Sequence, residues 1–170
     1  MAEAEVLFAE AQASDAGALV VFLAQAMTES DFITQTSPSL SETQMATFLS
    51  RQEVSPRDIC LLAKLGEGII ACLNLVAYPK AGSYFGDIFL VVGRAYQGAG
   101  LGQTLLELVI DWAQESKCLA GLSLSVQVRN QRAIHIYQKF GFSFSGLEKA
   151  SVKSKQGQDL DVYLMTRAIK

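Results

Sequence analysis

The chain has 170 residues, half of them hydrophobic and 18% charged, with a net charge of −3 at neutral pH. That is the length and composition of one folded domain, residues 1–170, and not of a disordered chain. The negative balance and the lack of any Lys/Arg run argue against nucleic acid as a partner. No apolar run reaches membrane-spanning length and the acidic start MAEAEVLFAE lacks a signal peptide's basic region, so a cytoplasmic protein with no membrane attachment is expected.

Residues 5–11 read as a first strand. From Ser14, SDAGALVVFLAQAMTES places Leu19, Phe22, Leu23, Ala26 and Met27 on one helical face, with Ser14 or Asp15 as cap. DFITQTSPSL, with Pro38, reads as a loop. In SETQMATFLS, Ser41 and Gln44 have capping-box spacing, and Met45, Phe48 and Leu49 form the apolar stripe of a second helix. DICLLAK and IIACLNLVAY flank LGEG, a hairpin signal built on Gly66 and Gly68, and YFGDIFLVV follows as a third strand. Cys60 and Cys72 lie in these apolar runs. With Cys118 they fit no zinc or redox spacing and read as small buried hydrophobes in a reducing compartment. A helix from about Leu101 to Glu115 would bury Leu101, Leu105, Leu108, Val109 and Trp112. LSLSVQV alternates as a strand, NQRAIHIYQKF is helical, and FSFSGL and DVYLMT close as a strand pair. The order β-α-α-β-β-β-α-β-α-β-β predicts an α/β (α+β) mixed sheet with helices on its faces.

Between the third strand and its helix lies RAYQGAGLGQT, with Gly98, Gly100 and Gly102 at alternate positions. A strand, a glycine turn and a helix start expose backbone N–H groups where the helix dipole favours an anion, and the Thr104 hydroxyl can add a donor. A Walker loop is excluded, because Ala99 stands where its lysine belongs. The dinucleotide fingerprint is excluded too, since Gln103 follows Gly102 and the turn comes after three antiparallel strands.

QGAGLG fits the pattern Q/R-x-x-G-x-G/A through Gln97, Gly100 and Gly102, and VRNQRAIHIYQKFGF adds Asn130, Ala133, Tyr137, Gly141 and Phe142 about thirty residues on. Together these resemble the two cofactor signatures of the GNAT N-acetyltransferase superfamily, most strongly over residues 84–147. The resemblance implies the GNAT fold: a mostly antiparallel sheet with one splayed parallel strand pair, formed by the strand ending at Val92 and the strand over Leu122–Val128. It implies acetyl-CoA as co-substrate and no metal. The pyrophosphate would lie on Gln97, Gly98, Ala99, Gly100, Leu101, Gly102, Gln103 and Thr104. The pantetheine arm would lie along the backbone of Val91 and Val92, with Asn130 and Ala133 beside it.

The implied activity is transfer of an acetyl group to a primary amine by direct attack. An alkyl amine with a pKa of ~10.4 must lose a proton, charge on the thioester oxygen needs a donor, and the thiolate needs a proton. Tyr137 is the expected acid, and the Val92 N–H or a neighbour at a strand bulge the expected oxyanion donor. Asp87 is the candidate base, set against the plain reading of a solvated strand edge. Ser125 occupies the place where other relatives carry a glutamate. His135 is expected on the surface. Glu29, Asp31 and Phe32 are candidates for the acceptor wall, where a carboxylate would suit a cationic amine. The acceptor stays open between a small amine or amino acid, a polyamine, an aminoglycoside-like drug, and a protein amine. The assembly expected is a monomer or homodimer. The alternatives are an acyl-CoA-binding regulatory domain without catalysis and a nucleotide-binding protein that uses the glycine turn in another way than those two motifs.

Overall fold

The structure, a computed structural model, describes residues 5–33 and 40–169. Its strands are β1 (Val6–Glu10), β2 (Ile59–Leu65), β3 (Gly68–Lys80), β4 (Ser83–Val92), β5 (Gly121–Gln127), β6 (Ser143–Lys153) and β7 (Asp159–Ala168). Its helices are α1 (Ala16–Glu29), α2 (Glu42–Val54), α3 (Leu101–Ser116) and α4 (Gln131–Lys139). They follow the expected order. The seven strands form one sheet in the order β1-β2-β3-β4-β5-β7-β6. Only β4 and β5 are parallel; every other neighbouring pair is antiparallel.

The sheet is covered on both faces. One core gathers Leu73, Leu75, Leu105, Leu106, Val109 and Leu122 between the strands and α3. The other packs Leu19, Phe22, Met45 and Leu49 of α1 and α2 onto Cys60, Leu62, Cys72 and Val91. Burial on both faces explains why β2 reads as an unbroken apolar run and not as an alternation. β5 alternates because Leu122, Leu124 and Val126 enter the first core while Ser123 and Ser125 face the other way. Cys60 and Cys72 are buried free thiols, with their sulfurs 3.8 Å apart.

Several local expectations need correction. A short 3₁₀ turn, Ala13–Asp15, runs directly into α1, so neither Ser14 nor Asp15 caps it by a side chain. Asp15 instead accepts from the Gln12 N–H at 2.8 Å and pairs with Lys64 Nζ at 2.6 Å. The capping box of α2 is present, with Ser41 Oγ accepting from the Gln44 N–H at 3.1 Å and Gln44 Oε1 accepting from the Ser41 N–H at 2.9 Å. On α3 the buried stripe is Leu101, Leu105, Leu106, Val109, Ile110 and Ala113. Leu108 is exposed and Trp112 only partly covered, because the helix lies flat on the sheet and buries adjacent pairs. Met27 of α1 is likewise exposed. The loop reading over residues 31–40 falls partly outside the described residues, Pro38 included. β6 and β7 run well beyond FSFSGL and DVYLMT: β6 is an edge strand, exposed along most of its length, so no alternation marks it.

Candidate active site

β4 and β5 hold together over only three pairs, Phe85↔Gly121, Gly86↔Leu122 and Asp87↔Ser123, and then part. The joined end needs glycine. A Cβ on Gly121 would lie 2.5 Å from the Phe85 ring and 3.0 Å from the Arg167 carbonyl oxygen. Beyond Asp87, β4 continues against β3 alone and β5 against β7 alone. The opening between them is a cavity of about 700 Å³, which reaches from Asp87 along β4 to the glycine turn and across to α4.

The β3–β4 register is unbroken from Lys80↔Ser83 to Ala71↔Val92, so the expected bulge is not there. Gly93 N–H donates to the Ile70 carbonyl at 2.8 Å. Backbone groups alternate along an antiparallel ladder. Val91 therefore turns its N–H and C=O toward β3, contrary to expectation, and Val92 turns its own toward the opening. Gln97 Nε2 donates to the Val92 carbonyl at 3.3 Å, which joins the turn to the strand end.

Gly98 and Gly100 have φ of +85° and +80°, the left-handed region in which a side chain is strained. A Cβ on Gly100 would meet nothing within 4 Å, so the space over the turn is open. α3 begins at the next residue. Thr104 N–H donates to the Gly100 carbonyl at 3.0 Å, while Leu101, Gly102 and Gln103 line the cavity at the start of the helix. Two members of the expected set stand apart. Ala99 does not line the cavity, and the Thr104 hydroxyl donates to Gly100 O at 3.2 Å inside the helix.

Asn130 Oδ1 accepts from the Ala133 N–H at 3.3 Å, so Asn130 caps α4 while also lining the cavity with Ala133. Tyr137 lines the same cavity, its ring edge-on to Phe142 at 6.0 Å. Burial pushes its phenol up to about 12, so it stays protonated across the neutral range. His135 is exposed and lines no part of the cavity.

Asp87 is not a solvated edge residue. Burial raises its carboxyl above the usual range, partly offset by Ser123 Oγ, which donates to Asp87 Oδ1 at 3.0 Å. Tyr78 Oη donates in turn to Ser123 Oγ at 2.9 Å. All donors in this chain point toward the carboxylate, which holds Oδ1 in place and leaves Oδ2 without a partner among the described residues. Ser125 is exposed on the cavity wall.

On the acceptor side, Phe32 lines the cavity but Glu29 and Asp31 do not. The Asp31 carboxylate is already engaged: Oδ2 pairs with Arg129 Nη2 at 2.7 Å and Oδ1 accepts from the Lys155 N–H at 3.1 Å. The side-chain bond from Arg129 and the backbone bond from Lys155 hold its carboxyl below the usual range. Asp31 thus ties the segment after α1 to the β5 end and the β6–β7 turn, where a free carboxylate for a cationic amine was expected.

Sequence reading missed Arg132, Ser123 and Tyr78. Arg132 Nη2 lies 3.5 Å from the position of a Cβ on Gly98, so a guanidinium stands over the glycine turn. Its signal was the Arg inside NQRA. Ser123 and Tyr78 come from other strands than Asp87, and only the sheet order brings the three together.

Comparison with known proteins gives concordant matches. The model of the "Acetyltransferase (GNAT) family" matches residues 24–142. The spermine/spermidine N(1)-acetyltransferase of Bacillus subtilis (strain 168) is 39% identical over 67 residues, 39% of this chain and 43% of the relative. The spermidine N(1)-acetyltransferase of Escherichia coli (strain K12) is 39% identical over 57 residues, 34% of this chain and 31% of the relative. The matched part thus spans less than half the length of these curated relatives. Among solved structures, the acetyltransferase of GNAT family from Streptococcus pneumoniae superposes with a TM-score of 0.89 at 38% identity, covering 98% of this chain and 100% of that one. The Salmonella typhimurium protein yncA, with its cofactor acetyl-CoA, gives 0.82 at 18% identity over 98% and 95%, a likeness of fold.

Proposed function

Since the chain belongs to the acetyltransferase (GNAT) family, we propose that it transfers the acetyl group of acetyl-CoA to a primary amine by direct attack in a ternary complex, with the 170 residues as one catalytic domain. The observation that carries this reading is one cavity that brings together a glycine turn at a helix start, the open edge of β4, Tyr137 and Asp87. The parts suit the ligand. The left-handed turn and the guanidinium of Arg132 offer backbone donors and positive charge to a pyrophosphate. The unpaired edge of β4 offers strand-like bonding to the amides of pantetheine.

When bound, acetyl-CoA supplies an activated acyl group and a thiolate leaving group. The chain's residues do the rest. An N–H on the open edge of β4, between Asp87 and Val92, donates to the oxygen on which charge develops. Asp87 takes the proton of the attacking amine through Oδ2, directly or through water. Its raised pKa makes it a better proton acceptor than an ordinary carboxylate. Tyr137 keeps its proton at neutral pH and gives it to the departing sulfur. Phe32 forms part of the wall facing the acceptor. The reading is tested by thiol release from acetyl-CoA against a panel of amines. Amine-dependent release supports it; release that no amine increases counts against it.

A further inference from the structure

A second cavity of about 370 Å³ lies between α1, α2 and the β3–β4 face of the sheet. It meets the first at Asp87 and Phe89, which line both. Its walls are apolar: Leu23 and Met27 from α1, Met45 and Phe48 from α2, and Val76 from β3. Met27 and Val76 are 43% and 40% exposed, so the apolar wall is open beside the cleft. Asp87 is the one charged residue among those lining it, and no described lysine or arginine enters. Asn74 is the other strongly polar group, and its Oδ1 already accepts from Gln52 Nε2 at 2.7 Å.

This chemistry separates the acceptor classes. A polyamine carries several cations along its length and needs a carboxylate, or water, for each. Among the described residues the cavity has a single carboxylate, at its junction with the cleft, and is mostly hydrocarbon beyond it. Of the other carboxylates, Asp31 is bonded to Arg129, Glu29 lies outside both cavities, and Glu148 lines the first cavity, where its Oε2 accepts from Ser151 Oγ at 3.0 Å, but not the second, so a body that fills the second cavity meets none of them. Resting on the acetyl-transfer reading above, we infer that the acceptor is a primary monoamine on an aliphatic or aromatic hydrocarbon body: its nitrogen sits at Asp87 and its body fills the cavity between α1 and α2. Asp87 thereby selects the amine as well as taking its proton, and Met27, Phe48 and Val76 set the size of the body that fits.

The test is calorimetric titration of linear alkylamines, butylamine to decylamine, into the protein loaded with coenzyme A. Each α,ω-diamine of matching length serves as control. Binding is expected to tighten about fourfold per added methylene until the cavity is full, and then to level off. Each diamine should bind more weakly than its matching monoamine. Met27→Glu should flatten the slope, and Phe48→Ala should move the plateau to longer chains. A flat series, or diamines binding more tightly than monoamines throughout, overturns the inference. Thiol release is read on the same series. A chain-length slope in binding with no amine-dependent release would leave the pocket assignment standing and overturn the acetyl-transfer reading alone.

Discussion

Tyr137 and Asp87 are both moved by burial in the direction that favours the protonated form, with opposite consequences for their roles. Burial pushes the Tyr137 phenol up to about 12, so its ionisation sets no alkaline limb near neutral pH. Tyr137→Phe keeps the ring against Phe142 and removes only the hydroxyl proposed as proton donor. Turnover should fall about 10²-fold, the low end for a general acid because a thiolate leaves readily. kcat and kcat/KM should drop together while acetyl-CoA affinity stays, and steady-state kinetics with titration separates the two. Full turnover in the variant would make Tyr137 a packing residue. For Asp87 the folded pKa lies above the unfolded value of 3.8, so the stability it contributes is complete below that value and is lost as pH rises through the folded pKa. Ionised Asp87 is therefore a cost at neutral pH. Asp87→Asn should melt at or above the wild-type temperature at pH 7, with the difference closing toward pH 3, while turnover falls and the acid limb of the pH–rate profile disappears. Melting scans at both pH values, with a rate profile, check both halves. A less stable variant with an unchanged profile would remove Asp87 from the chemistry.

On the proposed reading, the turn before α3 is the element that holds the cofactor. Gly100→Val places a β-branched side chain at φ +80° over open space, so the strain stays local and the new side chain projects where the anion would lie. The variant should fold, with a melting temperature a few degrees lower at roughly 2–4 °C per kcal/mol, and lose coenzyme A binding. Unchanged affinity in calorimetry would reject the turn as the anion site. This turn was legible in the sequence because glycine is required there by backbone angle, and the spacing to Asn130 and Tyr137 is fixed by one helix and one strand. The β2–β3 hairpin and the α2 capping box were legible for the same reason: each is set by residues close in the chain. What depended on packing was not. Leu108 and Leu106 are neighbours of one type, and only the sheet beneath α3 decides which is buried. β6 carries no apolar period because a single neighbour, β7, holds it. The Tyr78–Ser123–Asp87 chain joins three strands, and the engagement of Asp31 by Arg129 spans the fold, so neither leaves a local pattern.

For the whole molecule, the parting of β4 and β5 is a fault line in the sheet that a bound ligand would bridge. Any ligand bound only by the folded state stabilises it by about 2.7 kcal/mol at a hundred times its dissociation constant. For a chain of 170 residues that amounts to a rise of roughly 5–10 °C in melting temperature with acetyl-CoA. ATP and NAD should give no rise; a clear shift with either, and none with acetyl-CoA, would contradict the assignment of the cleft. The central claim, direct acetyl transfer to an amine, is tested most directly by mass balance in one reaction. Free coenzyme A, acetylated amine and acetylated protein are quantified together by mass spectrometry over a time course with an alkylamine acceptor. Equal amounts of coenzyme A and acetylated amine, with no acetyl group on the protein, are predicted. Acetyl-CoA that binds yet yields no acetylated amine, or an acetyl group that appears first on the protein, would contradict it.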